Sequence, residues 1–382
     1  MTAAPVRQLA VEATRLARES RGIGRYVRAL LPRLLALRPE LRVTLFVKPR
    51  DVAAMRGGYA AELGGRVAVR PARRMRGASA DLFWYPWNIA RPAPRRGAVV
   101  ATVHDIVPVA LPDPSPRRWR RNRRWRDLYA ETAERATLVI VPSAFTGEEL
   151  RRRFGVPPER TRVIPEAADD ALTPPGDGDA AALARLGVRA PYVLAVGAPE
   201  PRKNLEALDR AMPRVVARVP DATLILVGPR HHGGAPVPGA PWKRMVGYVS
   251  DAELSALYRG AACLAMPSVY EGFGLPVLEA MQLGTPVVCA RRASLPEVGG
   301  DAALWVEPDD DAGIADALVR LLADPAARDA MRRAGLARAA LFTWDAAARG
   351  TLAAFDEAAA LGGRPAAAWY RGALRRWLGV GA

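Results

Sequence analysis

Short apolar runs alternate with amphipathic helical patterns along this chain, and that alternation constrains the fold more than any other feature. The runs fall at 43–47, 82–85, 99–104, 138–141, 192–196, 223–227, 263–266, 287–290 and 303–306. Helical patterns fall between many of them, at 24–37, 119–136, 204–218, 251–259, 276–283 and 311–322. A strand that is apolar throughout is buried on both faces, and strands that alternate with helices are joined by crossovers, so the pattern predicts α/β domains with parallel sheets. The segment 167–191 interrupts the rhythm with Thr173-Pro174-Pro175-Gly176-Asp177-Gly178-Asp179, which is turn and linker chemistry. A chain of 382 residues is long enough for two cores. The expected division is a first domain over 1–170, a linker over 171–190 and a second domain over 191–345. Beyond Val306 helical patterns run to the C-terminus.

One segment carries the most chemistry: Ser268-Val269-Tyr270-Glu271-Gly272-Phe273-Gly274-Leu275-Pro276-Val277-Leu278-Glu279-Ala280. It follows an apolar strand, and Pro276 suits a first helical position. Glu271 is then expected on the loop at the strand's carboxyl end, and Glu279 on the helix that follows. In an open parallel sheet that end is where ligands bind. Backbone N–H groups between Gly272 and Leu275 would face an anion, helped by the helix dipole. The two carboxylates repel phosphate and are left to grip hydroxyls. A ligand with both features is a nucleotide sugar. The local alternative is a loop glutamate and a glutamate complementing a helix dipole.

Three further motifs sit at strand ends. Val196-Gly197-Ala198-Pro199-Glu200-Pro201-Arg202-Lys203-Asn204 brings two cations to the end of the second domain's first strand. Arg202 can hold phosphate bidentately and Lys203 as a point charge. Fixed cations there would stabilise a departing diphosphate. Ser20-Arg21-Gly22-Ile23-Gly24-Arg25 is a glycine loop before a helix, without the third glycine of a dinucleotide fingerprint. It reads equally as a helix-start turn or as a place where backbone approaches a phosphate. His104 and Asp105 end a strand run, poised to meet a ligand or to satisfy loop carbonyls.

The charge is uneven. Residues 1–170 carry 33 Lys and Arg against 17 Asp and Glu, whereas residues 171–382 carry 23 against 22. That asymmetry points to an anionic partner for the first half. Within it, Arg117, Arg118, Trp119, Arg120, Arg121, Arg123, Arg124, Trp125 and Arg126 form a basic, tryptophan-bearing run. Such a run suits an anionic membrane surface and equally suits nucleic acid. The tail 369–378 repeats the theme weakly. No apolar stretch reaches the 18 residues of a membrane span, and residues 1–8 lack the apolar core of a signal peptide. Cys263 and Cys289 lie in apolar runs and read as reduced core residues of a cytosolic protein. There is no His/Cys ligand spacing and no Walker loop, so no metal is expected.

Taken together, the segments 22–26, 102–105, 141–145, 197–205, 247–251, 271–279 and 296–298 resemble the family-four retaining glycosyltransferases of the GT-B fold. The resemblance implies two Rossmann-like domains with parallel sheets facing a central cleft, the last helices, about 346–382, crossing back to the first domain. It implies that Glu279 holds the ribose, Glu271 the transferred sugar, and Arg202, Lys203 and the backbone of Phe273, Gly274 and Leu275 the diphosphate. Gly22 and Gly24 would approach the phosphate, His104 with Asp105 would serve the sugar and the chemistry, and Val249 would offer its backbone to the base. Many relatives place an arginine where Ala198 stands here; Arg202 is expected to substitute. The form Glu200-Pro201-Arg202-Lys203-Asn204 resembles mannosyl- and rhamnosyl-transferring members. The expected partners are a nucleotide-sugar donor, a glycan or lipid-linked acceptor and an anionic membrane, not nucleic acid. The expected location is cytoplasmic, peripheral on the inner membrane face. A nucleotide-sugar epimerase, or a basic nucleic-acid- or membrane-binding protein on a degenerate scaffold, are the competing readings.

Overall fold

The computed structural model describes residues 4–19, 22–112, 115, 119–172, 178–229, 231–232, 235–236 and 239–362. Arg117 and Arg118 of the basic run, Ser20 and Arg21 of the glycine loop, 173–177 of the linker and the 369–378 tail lie outside these residues. The described chain forms two compact units, one running to Glu166 and completed by a last helix, the other spanning Ala167–Thr343.

The first unit is built, in chain order, from β1 (Gln8–Glu12), α1 (Ile23–Leu37), β2 (Arg42–Val47), α2 (Val52–Gly57), α3 (Tyr59–Glu62), β3 (Val67–Pro71), β4 (Leu82–Tyr85), β5 (Ala98–Thr102), α4 (Val107–Ala110), α5 (Trp119–Arg135), β6 (Leu138–Val141), α6 (Ala144–Phe154) and β7 (Thr161–Val163). Its seven strands are all parallel, in the order β3-β2-β1-β4-β5-β6-β7. The last helix, Trp344–Leu361, returns to this unit and packs on α1. Its Phe355 lies 5.6 Å from Trp84 of β4, both fully buried. Side chains of that size contribute about 1.5–3 kcal/mol each when buried. Arg38 locks the same helix with paired 2.6 Å hydrogen bonds to Asp356.

The second unit contains α7 (Asp179–Leu186), β8 (Tyr192–Val196), α8 (Leu205–Val216), β9 (Thr223–Val227), the short pair β10 (His231–His232) and β11 (Ala235–Pro236), β12 (Lys243–Gly247), α9 (Asp251–Gly260), β13 (Cys263–Met266), α10 (Leu275–Gln282), β14 (Val287–Ala290), α11 (Leu295–Gly299), β15 (Ala303–Val306), α12 (Asp311–Ala323) and α13 (Pro325–Ala339). Six parallel strands run in the order β12-β9-β8-β13-β14-β15. Apolar cores fill both faces of this sheet, which explains strands that read as unbroken apolar runs. Both cysteines are buried and free. Burial pushes the Cys263 thiol up to about 12, so it behaves as a small core residue.

The segment expected to be linker carries α7. Asp179, read as a turn residue, opens that helix and pairs with Arg259 of α9 at 2.6 Å. The strand expected to reach His104 stops at Thr102, because the His104 N–H leaves the ladder for the Asn88 side-chain oxygen at 2.8 Å. The helix after Glu271 begins at Leu275, one residue before the expected Pro276.

Candidate active site

In the second unit the strand order reverses between β8 and β13, since β8 leads to β9 on one side and β13 to β14 on the other. Loops leaving adjacent strands at such a point diverge and open a crevice. The loop after β8 carries Arg202 and Lys203, and the loop after β13 carries Glu271. They meet there. Arg202 Nη1 lies 2.7 Å from Glu271 Oε2, and Lys203 Nζ lies 2.7 Å from Glu271 Oε1. Glu200 takes the Arg202 Nε–H at 2.6 Å. Burial drives the Glu271 carboxyl upward, but Lys203 and then Arg202 overcome it and hold the group below its ordinary range.

Backbone chemistry fixes these loops. Asn204 adopts a left-handed conformation at φ 51° and donates its side-chain N–H groups to Pro267 O and Pro308 O. The Val269 N–H bonds Arg202 O at 2.8 Å, tying the two loops directly. Gly197, at φ 132°, leaves room for the Lys203 side chain; a Cβ there would sit 3.3 Å from Lys203 Cε. The Ser294 hydroxyl, fully buried, lies within 2.9 Å of Glu271 O and 2.8 Å of Phe273 O and clamps the turn between them. Gly274 is left-handed at φ 119° and packs where a Cβ would meet Leu295 at 2.9 Å. The N–H groups of Phe273, Gly274 and Leu275 find no acceptor among the described residues. Three open donors at the start of α10, beside two cations, make an anion cradle.

Glu279 sits in α10, half-buried, and accepts the Tyr258 hydroxyl at 2.8 Å. Val249, buried, precedes the Ser250 capping box of α9.

The other expected residues belong to the first unit. His104 Nδ1 lies 2.6 Å from Glu166 Oε1, and Nε2 lies 3.0 Å from Pro86 O. The Tyr26 ring meets the imidazole edge-on at 4.7 Å. Burial opposes charge on the ring, but Glu166 outweighs that and raises the imidazole above its ordinary 6.5. Asp105 uses its carboxylate to accept the Val107 N–H at 3.1 Å, at the turn that leads into α4. Gly22, at φ 56°, precedes the first residue of α1, and a Cβ there would meet no described atom within 4 Å. Gly24 has a packing reason of its own: a Cβ would stand 1.8 Å from Glu19 O. On α5, Trp119, Arg120, Arg121, Arg123 and Arg124 are exposed, whereas Trp125 is half-buried against Tyr129 at 6.3 Å.

Sequence reasoning missed Glu166, Ser294, Tyr258 and Glu12. Glu12, buried at the carboxyl end of β1, has its carboxyl pushed up by burial. Glu166 follows β7, whose short polar sequence Thr161-Arg162-Val163 hid the strand that would have flagged it.

Residues 190–324 match the family model described as glycosyl transferases group 1, and residues 20–172 match the model described as glycosyltransferase family 4. An O-antigen chain mannosyltransferase B of Escherichia coli is 34% identical over 286 residues, covering 72% of each chain. The chain is a group 1, family 4 glycosyltransferase. An MMP alpha-(1->4)-mannosyltransferase of Mycolicibacterium hassiacum is 30% identical, over 69% of this glycosyltransferase and 66% of the relative. Among solved structures, the Anabaena Alr3699/HepE complex with UDP-glucose aligns with TM-score 0.67 at 19% identity, over 91% of this chain and 98% of that one. WaaG, a glycosyltransferase involved in lipopolysaccharide biosynthesis, aligns with TM-score 0.66 at 15% identity, over 90% and 98%. These likenesses establish the GT-B fold. Membership of that family makes it an enzyme that transfers a sugar.

Proposed function

We propose that the chain is a retaining, metal-independent hexosyltransferase. It would move mannose or rhamnose from a nucleoside-diphosphate sugar to a glycan or lipid-linked acceptor at the cytoplasmic membrane face. The observation that carries this is the cluster of Arg202, Lys203 and Glu271 beside the open N–H groups of Phe273, Gly274 and Leu275. The diphosphate would rest on those N–H groups and the two cations. Glu271, already paired with both cations, would turn one oxygen to the hydroxyls of the sugar. Glu279 would hold the ribose, with Tyr258 fixing its carboxylate. As the anomeric carbon bonds to the acceptor oxygen, its bond to the diphosphate breaks. The electron pair leaves with the diphosphate, which also takes the acceptor's proton. Charge then grows where the cations already stand, so they stabilise the transition state more than the ground state. Mannose is favoured by the names of the relatives cited above.

A thermal-shift panel of nucleoside diphosphates and nucleotide sugars tests the reading. A ligand at 100 times its dissociation constant adds about 2.7 kcal/mol of stability. No shift with any member of the panel would overturn it.

A further inference from the structure

On one face of the first unit's sheet lies a cavity of about 290 Å³. Its floor is small: Ala10 of β1, Thr44 of β2 and Ala68 of β3 stand side by side in the sheet register. The stretch Ala78, Ser79 and Ala80 forms a wall. Arg42, Arg66 and Arg70 line it, and no carboxylate does. Arg66 is anchored, because its Nη1 donates to Leu35 O, Arg38 O and Pro39 O at 2.8, 3.2 and 3.0 Å. The guanidiniums of Arg42 and Arg70 make no hydrogen bond or ion pair with any described residue. Asp81, which precedes β4 next to β1, takes the N–H groups of Arg7 and Gln8 at 2.9 and 2.8 Å.

Three cations around a recess of small residues, one of them pre-fixed, form a site for a multiply charged oxyanion. Arg42 opens β2 and Arg66 immediately precedes β3, at the amino end of the recess. Arg70 lies four residues beyond Arg66, on β3, roughly 13 Å away. One phosphate reaches the first pair, and a ring-sized polar body can lie over Ala68 and Thr44 toward Arg70. The volume is close to the lower end of the roughly 300–1,000 Å³ of small-molecule sites, which suits a sugar-sized body. We propose that this cavity binds the phosphate monoester of a sugar-sized molecule, at a site separate from the donor site.

Titration calorimetry of the full chain with glucose 6-phosphate and with inorganic phosphate tests this, beside sedimentation with phosphatidylcholine vesicles carrying phosphatidic acid. The free ester is expected to bind saturably and more tightly than inorganic phosphate. Arg42→Gln with Arg70→Gln should weaken it at least tenfold. Ala68→Trp, which fills the recess and keeps every charge, should do the same; it decides the matter if the arginine variant does not fold. Arg202→Gln should leave this binding unchanged. Binding to the phosphatidic acid vesicles alone, lost on the same substitutions, would assign the monoester to a lipid headgroup. No saturable binding in either arm, or binding indifferent to Ala68→Trp, overturns the proposal. So does binding abolished by Arg202→Gln, which would place the ester at the donor residues.

Discussion

His104 Nδ1 and Glu166 Oε1 stand 2.6 Å apart, with the other ring nitrogen on the Pro86 carbonyl. The Pro86 carbonyl can only accept, so Nε2 carries a proton, and the Glu166 carboxylate beside Nδ1 favours a second proton there. The pair joins three chain segments, those after β4, β5 and β7. Glu166 is also the last residue of its unit before the chain passes into the other.

This charge gives stability a pH dependence with a definite sign. The folded imidazole titrates above its ordinary 6.5. Its contribution is therefore fully present below pH 6.5 and is lost as pH rises through the higher folded value. Breaking a buried ion pair costs about 3–5 kcal/mol. Melting temperatures of wild type and Glu166→Gln, measured from pH 5.5 to 9, should differ most at the acid end and converge toward the alkaline end. A constant difference would show that the contact is not a charge pair.

Glu271 and Glu279 are expected to separate by substitution. Glu271→Gln should abolish transfer while nucleoside diphosphate affinity holds or rises, since Arg202 and Lys203 lose a competing carboxylate. Glu279→Ala should weaken both donor and product by about 1.5–3 kcal/mol, the worth of a charged hydrogen bond. Calorimetry reads this directly; equal losses of nucleotide affinity in the two variants would refute the division of roles.

The sequence made the central strands legible because both faces of β8, β9, β13 and β14 are buried and leave apolar runs. It hid β3, β7 and β12, all at sheet edges, where half-solvated strands carry Arg70, Arg162 and Lys243 in place of apolar residues. It hid β1 too, a central strand that begins at Gln8 and ends at the buried Glu12. At the site, Arg202, Lys203 and Glu271 were readable as residue types at strand ends. Their mutual pairing was not, because β8 and β13 become neighbours only through the strand order. Gly24 was readable as a glycine but not as the seat of the Glu19 carbonyl.

Turnover is expected to survive EDTA. Arg202, Lys203 and the open N–H groups at the start of α10 already supply positive charge for a diphosphate. Initial rates measured after chelation, then with added magnesium or manganese, check this. A rate lost to the chelator and restored by the ion would move the charge compensation from the side chains to a metal.

The exposed arginines of α5 are expected to dock the first unit on anionic lipid. Trp119 stands 55% exposed at the start of that helix, with Arg120 stacked over its ring at 5.9 Å, so an aromatic anchor and a cation lie together. Each arginine near an anionic surface contributes about 1 kcal/mol, and salt screens it. Vesicle sedimentation should therefore show binding to anionic but not neutral lipid, falling as salt rises. Arg120, Arg121, Arg123 and Arg124 changed together to Ser should remove it. Trp125, turned toward Tyr129, is expected to matter for folding more than for docking. Equal pelleting on both lipids, or no effect of the four substitutions, would leave α5 as a solvated helix face. Tight nucleic-acid binding at physiological salt would give the same arginines a different partner.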